Sequence, residues 1–237
     1  MSLLKQVEDK NANLAWSPVP DQGNLVALGT RDGGGGGFDD YGGELEIHKL
    51  DFGVGDTRTK VMGTVRTNGR FTALAWSALY NKRADFTLGV VAGGLADGTV
   101  AIWDPAKLVA NHPQPRIAAV QRHTGPVNGL HFNPSATSSH LLASGGADNE
   151  VFVYALDRPD TPNVFIPAPA PNTAKHTAEV SKVAWNPQVP HILASCSGNG
   201  STIVWDLRQK KPYCELRDPA RGPVADIAWN PDCLLYT

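Results

Sequence analysis

The stretch "GVVAGGLADGTVAIWDPAKL", residues 89–108, carries the reading of the fold. Two short apolar runs flank Ala-Asp-Gly-Thr, and Asp97-Gly98 puts at the turn the residue types that accept positive φ in a tight hairpin. Neither run sustains a 3.6-residue apolar period, and both have the length and composition of strands. The same hairpin recurs as "LLASGGADNEVFVYALD" at 141–157 and "ILASCSGNGSTIVWDLR" at 192–208. In each, a polar turn residue precedes an aromatic by six positions: Asp97 and Trp103, Asp148 and Tyr154, Asn199 and Trp205. Three hairpins in one register mark an internal repeat.

A second signature precedes each hairpin. "LAWSP" at Trp16, "LAWSA" at Trp76, "LHFNP" at Phe132, "VAWNP" at Trp185 and "IAWNP" at Trp229 share an order of aliphatic, small or polar, aromatic, then Ser or Asn. Each of the first four leads into a run of small residues ("LVALGT", "GVVAGG", "LLASGG", "ILASCS") and then into "LEIHKLD", "VAIWDPA", "VFVYALD" or "TIVWDLR". The fifth has no such continuation before residue 237. Short strands bounded by Gly, Pro, Asn and Asp clusters, with no helical period, give an all-β chain.

Composition sets the outer bounds. The 237 residues are 41% hydrophobic with a formal net charge of −2, the profile of a globular chain with a substantial core. No apolar stretch approaches the roughly 18 residues of a spanning helix, and the N-terminus lacks a secretory layout, so a cytoplasmic chain with no direct membrane insertion is expected. Cys196, Cys214 and Cys233 have no C-x-x-C spacing and indicate neither a disulfide framework nor a metal site. A pI near 6.4 argues against nucleic acid as a partner. The densest basic run, "LRQKK" with Arg208, Lys210 and Lys211, reads as a solvated turn.

"IWDP" at 102–105 and "VWDL" at 204–207 resemble the dipeptide that closes a WD repeat. The resemblance implies a β-propeller of four-stranded blades with Trp103–Asp104 and Trp205–Asp206 ending third strands. It also implies a buried hydrogen-bonded set of His, Ser, Asp and Trp that ties blade to blade. His123, Ser144 and Asp148 match three of the four places, with Tyr154 at the Trp place. His176, Ser195 and Trp205 match in the next blade, with Asn199 for Asp. In the second blade Asp97 and Trp103 stand with Gly93 at the Ser place and no His. A neutral imidazole donates from one nitrogen and accepts at the other, so such a set can be satisfied internally. The Ser-His-Asp combination also resembles a hydrolase triad, but its recurrence and the lack of a G-x-S-x-G elbow favour structure. No catalytic residue, cofactor or metal ligand is expected.

Two insertions stand out. "GTRDGGGGGFDDYGG", with its Gly-rich loop at 31–43, lacks the Gly-Lys-Ser/Thr ending of a phosphate loop and reads as a connection between second and third strands. Phe38, Asp39, Asp40 and Tyr41 are its distinctive side chains. The Pro-rich insertion at 158–174 reads as protection of the third blade's outer edge. "NGS" at 199–201 matches a glycosylation sequon within a turn.

The finer wording, from "LAWSP" through "GELEIHKLD", "HTGPVNGLHFNP" and "EVSKVAWNPQVPHILASCSGNGSTIVWDLRQKKP", resembles the Sec-thirty-one family of the COPII outer coat. That resemblance implies the seven-bladed propeller at the front of a longer coat protein, placed at cage vertices on endoplasmic-reticulum exit sites. Its implied partners are other coat subunits, a Sec-thirteen-type propeller and further copies of itself. The expected domain is a single partial propeller over 1–237, with blades near 11–51, 70–108, 122–157 and 175–216 and the start of a fifth at 222–237. Leu3 to Val7 would lack the last blade they complete in such rings, so a marginally stable fragment is expected. The function expected is a non-enzymatic scaffold in ER-to-Golgi transport, the alternative being a WD adaptor that binds peptides on a propeller face.

Overall fold

Runs such as "GVVAGG" and "ILASCS" must satisfy two faces at once. Val90–Leu95 and Ile192–Ser197 are buried at all six positions, which explains why small and apolar residues are continuous there instead of alternating with polar ones. The computed structural model describes residues 11–31, 42–51, 59–79, 84–169, 175–217 and 222–232. Within them the chain forms four sheets of four antiparallel strands, each sheet in simple chain order.

The first blade comprises β1 (Ala12–Trp16), β2 (Leu25–Thr30), β3 (Gly43–Lys49) and β4 (Lys60–Thr67). The second comprises β5 (Phe71–Ser77), β6 (Val90–Leu95), β7 (Thr99–Trp103) and β8 (Arg116–Gln121). The third holds β9 (Val127–Phe132), β10 (Leu141–Gly146), β11 (Val151–Ala155) and β12 (Asn163–Phe165). The fourth holds β13 (Val180–Trp185), β14 (Ile192–Ser197), β15 (Ser201–Asp206) and β16 (Lys211–Arg217). The all-β reading holds, and the third strands end on Trp103 and Asp206.

Successive blades pack face to face through separate apolar layers. Leu45, Ile47 and Phe71 join Val91 and Trp103 between the first and second blades. Val90, Ala92 and Ile102 meet Leu142 and Tyr154 between the second and third. Val153, Val183 and Trp185 meet Leu193 and Trp205 between the third and fourth. The two-residue period of each strand sends neighbouring side chains into different layers, so every middle blade contributes to two.

One position on the second strand of each of the first three blades sets how close the next blade comes. A Cβ on Gly29 would lie 2.6 Å from the Phe71 ring, one on Gly94 2.7 Å from Val127, and one on Gly145 2.4 Å from Val180. Phe71, Val127 and Val180 each begin the innermost strand of the following blade, and glycine opens the space they occupy. Beside these approaches, Asn13 Nδ2 donates to the Phe71 carbonyl (2.9 Å), Thr72 Oγ1 to that of Val127 (2.7 Å) and Asn128 Nδ2 to that of Val180 (3.2 Å). A polar side chain thus crosses each boundary at the same level.

The structure departs from the expected spans in three ways. The outer strands β4, β8 and β12 lie beyond 11–51, 70–108 and 122–157, and β12 falls inside the Pro-rich segment, where a three-residue edge strand tolerates Pro162 and Pro167 on its flanks. A short helix, α1 (Pro105–Val109), follows Asp104, whose Oδ1 accepts from the N–H groups of Ala106 (2.9 Å) and Lys107 (3.3 Å). Asp followed by Pro is a helix start too short to leave a periodic signal. Residues 222–232 are not a strand, since they join none of the four ladders. They nevertheless lie on the fourth blade, where Ile227 and Trp229 cover Ile192, Ala194 and Val204. Leu3 to Val7, and Phe38, Asp39, Asp40 and Tyr41 of the Gly-rich loop, lie outside the described residues, as do residues 170–174 of the Pro-rich insertion and 233–237 of the expected fifth blade.

Candidate functional site

The third blade brings His123, Ser144, Asp148 and Tyr154 together. The approach to β9 carries His123, β10 carries Ser144, the β10–β11 turn carries Asp148 and β11 carries Tyr154. His123 Nδ1 stands 2.8 Å from Asp148 Oδ1, and His123 Nε2 stands 2.7 Å from Ser144 Oγ. Ser144 Oγ and the Tyr154 hydroxyl are 3.5 Å apart. The second Asp148 oxygen accepts from the Thr124 N–H (3.0 Å), which fixes the turn against the segment that leads into β9. Burial pushes the Asp148 carboxyl up, but the hydrogen bonds from His123, Thr124 and Glu150 outweigh it and hold the group below its ordinary value. Burial pushes the Tyr154 hydroxyl up to about 12.

The fourth blade builds the same set with an added link. The Trp205 indole N–H donates to Ser195 Oγ (2.8 Å), and Ser195 Oγ lies 2.6 Å from His176 Nε2. His176 Nδ1 does not reach Asn199; it meets Ser201 Oγ at 3.3 Å, and Ser201 donates onward to Asn199 Oδ1 at 2.7 Å. Asn199 Nδ2 then donates to Thr177 Oγ1 (2.7 Å), the counterpart of Thr124. The hydroxyl of Ser201 spans the gap left where Asn replaces Asp. The spacing from Asn199 to Trp205 does not reveal it, because the signal is a Ser two residues after the turn. Burial lowers the His176 pKa to about 4, so the ring is neutral in the folded chain.

In the second blade the polar set is replaced by stacking. Gly93 leaves room for the Phe71 ring, whose centroid lies 5.6 Å from that of Trp103 at 51°. Asp97 remains at its turn and accepts from the Thr99 N–H (2.9 Å). In the first blade His48 stands at the Trp place, opposite Val26 as Trp103 stands opposite Val91. His48 Nε2 meets Glu46 Oε2 at 2.8 Å and Nδ1 meets Thr59 Oγ1 at 2.7 Å. Sequence reasoning missed this buried pair because the first blade has neither a turn Asp nor a Trp to set the register. Asp104 and Asp206 stay local: Asp104 caps α1, and Asp206 Oδ1 accepts from the N–H groups of Arg208 (2.9 Å) and Gln209 (3.1 Å).

Ser144, His123 and Asp148 have the connectivity of a nucleophile, base and orienting acid. Ser144 is 0% and His123 1% exposed, so no substrate carbonyl reaches the hydroxyl without unpacking the blade. Outside this set, His131 accepts the Trp185 backbone N–H at Nδ1 (2.9 Å), while its carbonyl accepts the Trp185 indole N–H (3.0 Å). Trp229 repeats the second contact one blade later, donating to the Ala184 carbonyl (3.0 Å). Burial, with the charge of Lys182 adding to it, lowers the His131 pKa to about 4. Among the described residues no group of three or more His, Cys, Asp or Glu could hold a metal ion, and no helix is long and apolar enough to cross a membrane.

The family model described as "WD domain, G-beta repeat" matches residues 115–154 and 171–206. The chain is 32% identical to "Protein transport protein SEC31" of Dictyostelium discoideum over 98% of its own length and 17% of the relative's. It is 33% identical to "Protein transport protein Sec31A" of Homo sapiens over 97% of its own length and 18% of the relative's. The chain therefore spans less than a fifth of these relatives. Among solved structures, one described as "COPII on membranes, outer coat vertex" matches with a TM-score of 0.68 and 24% identity, covering 87% of this chain and 50% of the other. Sqt1 from Chaetomium thermophilum, bound to the N-terminus of the ribosomal protein L10, matches with a TM-score of 0.66 and 21% identity, over 93% and 52% of the two chains. At these identities the two structures bear on the fold alone.

Proposed function

We propose that this chain, a WD-repeat propeller chain homologous to SEC31 along nearly all of its length, is a non-enzymatic scaffold of the COPII outer coat. The observation that carries the reading is the 32–33% identity to SEC31 relatives from an amoeba, mouse and human over 97–98% of this chain. The matched span takes in all four blades, well beyond residues 115–154 and 171–206 that the WD repeat model covers. In this reading the chain works by protein–protein contact in ER-to-Golgi vesicle formation. It sits in the cytoplasm, peripheral to the membrane at ER exit sites, with coat subunits, a Sec-thirteen-type propeller and further copies of itself as partners.

Residues 1–237 then act as one partial propeller domain. His123, Ser144, Asp148 and Tyr154 hold the third blade, and His176, Ser195, Asn199 and Trp205 the fourth. Asp97 and Trp103 hold the second, while Asp104 and Asp206 shape the segments that follow their strands. Burial supports this assignment, and so does the recurrence of the same connections one blade apart.

The test is co-precipitation of the tagged chain from cells, with imaging against an ER exit-site marker. Recovery of COPII coat subunits and punctate overlap with the marker are expected. A diffuse distribution with no coat subunit recovered would overturn the reading. The non-enzymatic part is checked with His123→Gln, which should lower the melting temperature of a chain that shows no esterase turnover before or after the change.

A further inference from the structure

We infer that a groove around the outer strand of the third blade binds an extended peptide segment, acidic and apolar in character, from a partner protein. The groove encloses about 970 Å³, at the upper end of the range for ligand pockets. Its lining includes β12, the three-residue strand that is the outermost of its sheet among the described residues. The short length of β12 and the prolines on its flanks limit strand addition at that edge, so recognition rests on the side chains that line the groove. The apolar part of the lining comes from Leu141, Phe152, Val164, Ile166 and Leu207. Phe165, on β12 itself, is 39% exposed.

Charge decides the partner. Arg122, Arg208 and Lys210 all line the groove, and no carboxylate lines it among the described residues. The chain as a whole carries a formal charge of −2, so this concentration of positive charge is local and not a background property. Arg208 and Lys210 belong to the basic run that the sequence presents as a solvated turn; the fold brings them to one groove with Arg122, over eighty residues away. Positive groups in an apolar lining favour ligands that place carboxylates beside aliphatic or aromatic anchors, and they reject basic ones. The inference stands independently of the coat assignment, since it rests on the groove alone.

The test is selection of short random peptides displayed on phage against the 237-residue chain, followed by affinity measurement with the enriched peptides made synthetically. Enriched sequences should combine Asp or Glu with Leu, Ile or Phe. Their affinity should fall by at least about tenfold against the Arg122→Glu, Arg208→Glu double variant. Both arginines are exposed, so the variant should melt as the parent chain does. Versions of the same peptides with Lys in place of the carboxylates should bind the variant more tightly than they bind the parent. Enrichment of peptides without carboxylates, or equal affinity for parent and variant, would overturn the inference. So would concentration-dependent self-association abolished by the same two changes, since the occupant would then be a second copy of this chain.

Discussion

Ser195 serves two partners with one hydroxyl, the indole of Trp205 and the imidazole of His176, and is 0% exposed. Its loss in Ser195→Ala leaves two buried groups unpaired, and the urea midpoint should fall by the equivalent of about 2–4 kcal/mol. Ser201→Ala breaks the link between His176 and Asn199 and a longer contact to Ser197 Oγ (3.2 Å), and about 1 kcal/mol is expected in the same measurement. The histidines also set a pH response. His176 and His131 have folded pKa values near 4, below the ordinary 6.5, so the unfolded chain takes up protons that the folded chain refuses. Stability is full above the unfolded value and falls with pH between about 6.5 and 4, with a limiting slope of about 1.4 kcal/mol per pH unit for each ring. The depressed Asp148 acts in the same direction, its contribution fading as pH falls through its own lower range. Urea midpoints taken from pH 7 to pH 4 should decline steadily, and His131→Gln should flatten the curve. At this scale the sequence shows which positions correspond between blades but not which side chain completes a hydrogen bond. Ser144 and Asp148 reach His123 at their expected places. Ser201 and the Glu46–His48 pair needed the three-dimensional register.

Hairpins are where sequence and element agree best. Gly98, Asn149 and Gly200 occupy corresponding turn positions with φ of +88°, +69° and +82°, the left-handed region that Asp-Gly, Asp-Asn and Asn-Gly sequences announce. The three sites are not equivalent in their surroundings. A Cβ on Gly98 would lie 2.1 Å from the His123 carbonyl oxygen, so strain and a backbone clash combine there. Gly98→Ala should cost more than about 2 kcal/mol, whereas Asn149→Gly should change stability by under about 1 kcal/mol; thermal melts of the two variants check the contrast. Outer strands were the least legible elements. β8 and β12 are exposed or half-buried at every position, too weakly amphipathic to stand out beside the continuous apolar runs of β6 and β14. The aromatic signatures and second strands announce themselves because both of their faces are packed. An edge strand packs on one neighbour and tolerates nearly any polar residue.

Across the molecule, the faces at the two ends of the blade series differ. Trp16 holds the place that Trp76 and Trp185 hold in their blades, yet it is 52% exposed and Leu14 beside it 53%, against 7% and 1% for the other two tryptophans. An exposed apolar sheet face of this kind favours association. Leu14→Glu combined with Trp16→Gln should reduce concentration-dependent self-association in light scattering while leaving the urea midpoint within about 1 kcal/mol. The fourth blade's outward layer is covered instead by Ile227 and Trp229, and its Asn186 Nδ2 has no hydrogen-bond partner among the described residues, although the corresponding Asn133 donates to the Pro190 carbonyl (2.7 Å). The blade order was legible because each repeat is contiguous in the chain. How far each blade's outer strand extends, and the groove around β12, were not, since both depend on where a loop lies against a neighbouring sheet. Contiguity also bears on synthesis at the ribosome. Each sheet is complete once its fourth strand has emerged, and each then offers the layer on which the following blade can close. The nascent chain can therefore bury its apolar surface one unit at a time, in step with translation, without waiting for distant strands to arrive.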